Sequence, residues 1–275
     1  MKKKIILSVN SCYFLLQIVF LLQVLPTGYL VGETISARFP APEGFQKTGI
    51  EQNSFGDFLR NYPLKPQGSP VHHFDGSTKN KEVHVAVLDF PILKKDLIQC
   101  ADAIIKLRAE YLFDRGSYNQ IKFKITNGMD VPFTEFAKGK RVRVKGNDTT
   151  WIEGKFKKGN TRAVFDEYLF FIYSYAGTAS LGKELITVQL SDIQIGDLFL
   201  EAGSPGHAVL VVDLAKNLSS GEKIFLLAQS YMPSQEMHVV KSFEKISPWY
   251  RIPRGNLETP EWTFSNKSLV RFKNY

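Results

Sequence analysis

Residues 196–230 read GDLFLEAGSPGHAVLVVDLAKNLSSGEKIFLLAQS, and this stretch decides the fold class. A strand opens at Gly196-Asp197. The run Gly203-Ser204-Pro205-Gly206 makes a tight turn, because proline fixes φ and glycine reaches backbone conformations closed to other residues. His207 then begins an apolar run that lasts to Asp213. Asn217 to Gly221 turns the chain again, and 223–229 is a third apolar run that ends on Gln229. Apolar runs of this length bounded by turn signals read as buried strands, and short connections make them antiparallel neighbours. His238-Val239-Val240 adds a strand; beyond Ser247-Pro248-Trp249-Tyr250 lies a polar tail.

Upstream, 82–90 reads as a strand stopped by Pro91. Lys94-Lys95-Asp96 opens a helix with Asp96 as the expected N-cap. Apolar residues follow at helical spacing, with Leu97, Ala101, Ile104, Ile105 and Leu112 on one stripe. Cys100, Ile104, Leu107 and Tyr111 form a second. Residues 33–81 are rich in proline, glycine and polar residues around one short helix at 53–60. Between 115 and 180, residues 121–125 alternate and Asn127-Gly128 signals a hairpin. A strand at 138–145 puts Arg141, Arg143 and Lys145 on one face. The aromatic segment 161–175 is apolar almost all round, which places it inside the fold. The reading is an α+β domain over 33–275, a cysteine-bearing helix packed on an antiparallel sheet, with an inserted strand/helix region around 115–180.

The start of the chain has a different grammar. Lys2, Lys3 and Lys4 precede a charge-free stretch over 5–25, which Pro26, Thr27 and Gly28 close. Residues 1–32 are therefore a signal peptide or an N-terminal anchor, with Thr34-Ile35-Ser36 a candidate cleavage point. The anchor reading rests on length, since about 20 apolar residues span a bilayer. Ser8, Asn10, Ser11, Gln17 and Gln23 weaken it as a permanent span. The expected address is extracytoplasmic, the periplasm or cell envelope. Membrane contact is expected only through this segment if it stays uncleaved. Three of the 35 basic residues and none of the 27 acidic ones lie in it, so its removal lowers the net charge from +8 to +5. That balance suits an anionic envelope polymer and, with the exported address, excludes nucleic acid.

Only two cysteines occur, Cys12 and Cys100. Without the leader, Cys100 has no internal disulfide partner, so it is either buried and inert or kept for its chemistry. A cysteine near a helix start, a histidine opening a strand and an amide on the next strand together suit acyl transfer. Cys100 would be the nucleophile, with the helix amides and dipole favouring its thiolate and helping to hold an oxyanion. His207 would be general base and then acid, and Gln229 would orient its ring. His238 is a substitute orienter. The pair His72-His73 lacks a third ligand at useful spacing, so no metal and no cofactor are expected. Asp197 reads as a turn or cap residue and Asp213 as a partner for Lys216.

The segments 196–200, 206–213 and 225–230 resemble the sheet of the NlpC-type papain-like peptidoglycan endopeptidases, and Gln99-Cys100-Ala101-Asp102-Ala103 resembles their cysteine helix. The resemblance implies a papain-like fold, Cys100 as nucleophile, His207 as base, Gln229 as orienter and cell-wall peptide as substrate. Two features depart from that pattern. Gln-Cys-Ala-Asp stands where Asp-Cys-Ser-Gly is usual, and 107 positions separate cysteine from histidine. The pentapeptide at 99–103, with 108–112, 204–207 and 228–235, also resembles a family of uncharacterised exported bacterial proteins. The function expected is an exported thiol hydrolase cleaving amide bonds in cell-wall peptide or a related envelope substrate. The alternative is a non-catalytic binding module of the envelope on the same scaffold, with Cys100 a core residue, His207 bonded to a backbone carbonyl and Gln229 satisfying a strand edge.

Overall fold

The computed structural model describes residues 33–273, so the signal or anchor expected at 1–32 lies outside the described residues. In chain order the elements are α1 (Ile35–Arg38), β1 (Phe45–Lys47), α2 (Phe55–Arg60), β2 (His84–Val87), α3 (Cys100–Asp114), β3 (Lys122–Lys124), β4 (Asp130–Pro132), α4 (Phe133–Ala137), β5 (Lys140–Lys145) and β6 (Asp148–Glu153). The second half holds α5 (Arg162–Tyr175), α6 (Thr178–Leu181), β7 (Leu185–Thr187), β8 (Leu198–Glu201), β9 (His207–Asn217), β10 (Lys223–Gln229), β11 (His238–Val240), β12 (Tyr250–Arg251), β13 (Leu257–Glu258), β14 (Thr263–Phe264) and β15 (Leu269–Phe272).

The main sheet runs β2-β11-β10-β9-β8-β15-β7, with β1 beside β9 and β12 beside β10. Its pairings are antiparallel, so the fold is α+β around one large antiparallel sheet. The first nine residues of β9 are buried. A strand covered on both faces has no solvent side to populate with polar residues, which is why its sequence is a continuous apolar run instead of an alternation. Register places Glu201 opposite His207, Gln229 opposite His238, and His238 opposite Val87. The chemistry-bearing residues thus share one end of the central strands.

Helix α3 packs on β9 and is also met by α5 and α6. Ala101, Ala103, Ile104, Ile105, Leu107, Ala109 and Leu112 are all buried, so both apolar stripes are in use. Residues 115–180 supply the cover on the side away from the sheet. Phe113 at the end of α3 stacks on Phe165 at 4.1 Å, and Phe133, Tyr168 and Phe136 continue the aromatic cluster edge to face. Large rings fill the space between short elements that could not bury enough area alone.

Several expectations are corrected. The N-cap of α3 is Gln99, not Asp96, so Cys100 is the first helical residue. The Asp96 carboxylate instead accepts hydrogen bonds from Gln99 Nε2 (3.0 Å) and the Ser234 amide (2.7 Å). Helix α5 is not apolar all round: Phe170 and Tyr175 are exposed, and Asp166 and Glu167 face outward to arginines. Arg141 does not join a free basic stripe, being buried in a two-point bond to Glu167 with both contacts at 2.7 Å. Asp213 pairs with Lys47 and Arg60, not Lys216; Asp197 does hold its turn, accepting from the Gln194 amide at 2.8 Å, and also pairs with Arg271. The polar tail contributes β15, which lies between β8 and β7 inside the sheet. No helix among the described residues is long and apolar enough to cross a membrane.

Candidate active site

Cys100 owes its position to the segment in front of α3. The carbonyl of Ile98 accepts from the hydroxyls of Ser234 (2.8 Å) and Ser230 (3.3 Å), and Asp96 holds the Ser234 amide. These bonds tie the helix start to the chain that leaves β10 just after Gln229. At a helix start the first N–H groups have no partner within the helix. The amides of Cys100 and Ala101 face the sulfur, and so does the N–H of Ala208, the residue after His207. The structure therefore brings Cys100 to the strand that carries His207.

His207 is set by the turn before it. A Cβ on Gly206 would fall 2.5 Å from Thr178 Oγ1, 2.6 Å from the Gly203 carbonyl oxygen and 2.8 Å from that of Glu201. Only glycine fits, and the reason is crowding. Thr178 lies at the start of α6 and its hydroxyl donates to the Gly203 carbonyl at 3.1 Å. The end of the inserted region thus braces the histidine turn. Tyr231 meets the imidazole edge-on at 4.7 Å, and Trp262 and Phe264 lie at 5.4 and 5.7 Å. This aromatic wall removes water from the ring.

Hydrogen bonds behind the imidazole fix its orientation. His207 Nε2 is 2.9 Å from Gln229 Oε1, and Gln229 Nε2 is 2.7 Å from Glu261 Oε2 and 3.3 Å from His238 Nε2. His238 Nδ1 is 2.9 Å from the Glu236 carbonyl oxygen, so Nδ1 carries the proton there and Nε2 accepts. The Glu261 carboxylate can only accept, so the Gln229 nitrogen must face it and the Gln229 oxygen must face His207. That makes His207 Nε2 a donor and leaves the Nδ1 lone pair for other use. Lys79 closes the network with a 2.8 Å ion pair to Glu261, both side chains 7 % exposed.

Burial dominates the electrostatics. It lowers the His207 pKa to about 4, against the smaller raising effects of Gln229 and Glu261. His238 falls to about 3 for the same reason. The Cys100 thiol, 5 % exposed, is pushed up to about 11; the facing amides oppose this, and the Asp102 charge adds to it. The expected thiolate is thus corrected: the resting pair is thiol and neutral imidazole, because desolvation outweighs the helix start. Asp102, 6 % exposed, is itself raised to about 8 by burial.

His207 and Gln229 are bonded to each other, and Cys100 meets the strand of His207 at Ala208, the residue after it. His238 packs on the Gln229 amide and does not replace it. His72 bonds Glu236 at 3.2 Å, and no group of metal-ligating residues occurs among the described residues. Sequence reasoning missed Glu261 and Trp262, which sit at the tip of the β13–β14 hairpin, where the Thr259 amide and hydroxyl both donate to the Trp262 carbonyl. It also missed Lys79 and Tyr231. Glu261 and Lys79 are 182 positions apart, so no local signal could pair them.

Fold and site define a class: an α+β protein with one buried thiol among the described residues, at a helix start that meets the sheet strand carrying the histidine of a histidine–amide pair. The chain belongs to the family described as domain of unknown function 4846, whose model matches residues 35–271. No curated protein and no solved structure matches it.

Proposed function

We propose that the protein is an exported thiol hydrolase of papain-like architecture that cleaves amide bonds in cell-wall peptide or a related envelope substrate. The observation that carries this reading is the 2.9 Å bond from His207 Nε2 to Gln229 Oε1, on a strand whose next N–H, that of Ala208, faces the Cys100 sulfur.

Because thiol and imidazole are both neutral at rest, the proton moves as the nucleophile attacks. His207 Nδ1 takes the Cys100 proton while Sγ bonds to the substrate carbonyl carbon. The carbonyl electrons collect on oxygen, where unpaired N–H groups at the start of α3 stabilise them. The C–N bond then breaks and the amine leaves with the proton from Nδ1. Water, deprotonated by the same nitrogen, cleaves the thioester. Aromatic walls around His207 exclude bulk water from these transfers.

The test is release of soluble fragments from peptidoglycan by the full chain. Wild type is expected to release them, and Cys100→Ala and His207→Gln to lose that release entirely. Release that persists in Cys100→Ala rejects the nucleophile.

A binding module on the same scaffold is the second reading, favoured by one observation elsewhere. A cavity of about 270 Å³ is lined by Arg108, Lys122, Lys124, Glu184 and Phe272, among others. Its basic rim suits an anionic polymer. Tight binding to anionic wall polymer by a Cys100→Ala variant with no hydrolysis in wild type would select this reading.

A further inference from the structure

We propose that Glu261, held by Lys79, is a positioning residue that sets the tautomer of His207 through the amide of Gln229. A neutral imidazole in water samples both tautomers, and a glutamine can turn over to suit either, because its oxygen and nitrogen occupy nearly the same space. Left alone, the His207–Gln229 pair has two nearly equivalent states, and one of them puts the proton on Nδ1. The carboxylate removes that state. Turning Gln229 over would set its oxygen 2.7 Å from Glu261 Oε2, two acceptors with no proton between them. It would also lose the donation to His238 Nε2. Lys79 keeps the carboxylate oriented by binding Oε1 and leaving Oε2 for Gln229.

The arrangement predicts an inversion. In Glu261→Gln, Lys79 has only donors to offer and draws the new side-chain oxygen to itself. The new NH₂ then faces Gln229, whose oxygen must turn to accept from it, so the Gln229 NH₂ faces His207 Nε2. His207 is driven to carry its proton on Nδ1. In Lys79→Met/Glu261→Gln that demand is gone, the oxygen of the introduced amide can again accept from Gln229, and His207 returns to its original form. Consequences at Cys100 rest on the thiol-hydrolase reading; the tautomer itself does not.

The experiment is nitrogen NMR of the full chain labelled with ¹⁵N-histidine at neutral pH, the His207 signals assigned by their loss in His207→Gln. Wild type should show Nε2 protonated and Nδ1 bare. Glu261→Gln should shift the population to protonated Nδ1, and the double variant should restore it. A His207 that keeps Nδ1 bare in Glu261→Gln overturns the proposal. Should that variant fail to fold, Lys79→Met/Glu261→Ala removes both charges together; mixed tautomers are then expected, and an unchanged His207 overturns the idea. Cys100 alkylation over pH, read alongside, separates the two claims. An inverted tautomer with unaltered alkylation upholds the role of Glu261 and counts against the hydrolase.

Discussion

Strand β9 holds two buried polar residues that the fold treats in opposite ways. At Asp213 every charge is closed. One oxygen binds Lys47 at 2.6 Å, and the other accepts from Arg60 Nε at 2.7 Å and the Leu214 amide at 2.8 Å. Arg60 uses its remaining donors on the carbonyls of Thr48 and Leu214. At His207 Nε2 is bonded just as firmly to Gln229, while Nδ1 takes part in no hydrogen bond among the described residues. Saturation on all sides pins β1 and α2 to the sheet and offers a ligand nothing. A network that leaves one ring nitrogen unused is what the proposed chemistry requires. On the thiol-hydrolase reading, the difference separates polar burial that serves folding from polar burial that serves chemistry.

The largest expected effect lies at the closed end. Asp213→Ala strands Lys47 and the buried Arg60, and removing one partner of a buried pair costs about 3–5 kcal/mol. Chemical denaturation should show that loss, while the folded fraction keeps the wild-type rate of Cys100 alkylation. An equal loss of Cys100 reactivity would break the comparison.

Acid should act at the open end. The folded pKa of His207 lies below the ordinary histidine value, at about 4. Below pH 6.5 the unfolded chain takes up a proton that the folded one refuses. The stability this group contributes is therefore complete above pH 6.5 and is lost as pH falls to about 4. His207→Gln has no such proton. Its unfolding free energy relative to wild type should improve by about 3 kcal/mol between pH 7 and pH 4. A difference that stays flat over that range would mean the imidazole is not held neutral.

The same contrast explains what could be read from the sequence. The places of Cys100, His207 and Gln229 in the fold were legible because each sits at the end of an element with a strong local pattern: a helix start, a strand after Ser-Pro-Gly, a strand end. The apolar runs at 207–213 and 223–229 likewise announced β9 and β10. Tertiary pairing left no such trace. Lys47 and Arg60 come to Asp213 from more than 150 positions away, and Lys216, the local candidate, is exposed. β15 and the β13–β14 hairpin were hidden because short, half-buried strands carry too few residues for a period to show. The expected thiolate failed for a related reason: helix-start position is visible in sequence, but the burial that outweighs it is not.

The turn that aims His207 gives a middling effect. In Gly206→Ala the new methyl meets Thr178 Oγ1 and two backbone oxygens at under 3 Å. Overpacking of this kind costs about 1–3 kcal/mol. Adding Thr178→Ala should recover only part of it, because the two carbonyl oxygens remain in the way. Full recovery in the double variant, read from thermal unfolding, would mean that the hydroxyl alone sets the turn.

The smallest change in stability should come with a large change in chemistry, at Gln229→Asn. The side chain loses one methylene, so its amide no longer reaches His207 and Glu261 together, and one hydrogen bond is given up. The net loss is about 1 kcal/mol, well below that of Asp213→Ala. Yet His207 would lose the acceptor that holds its proton on Nε2, and fragment release from peptidoglycan should drop by about 10²-fold, the lower range for a displaced general base. Denaturation and fragment release measured on the same preparation give the two numbers side by side. If Gln229→Asn and Asp213→Ala lose stability and activity in the same proportion, the open network is only another structural one, and the distinction drawn along β9 fails.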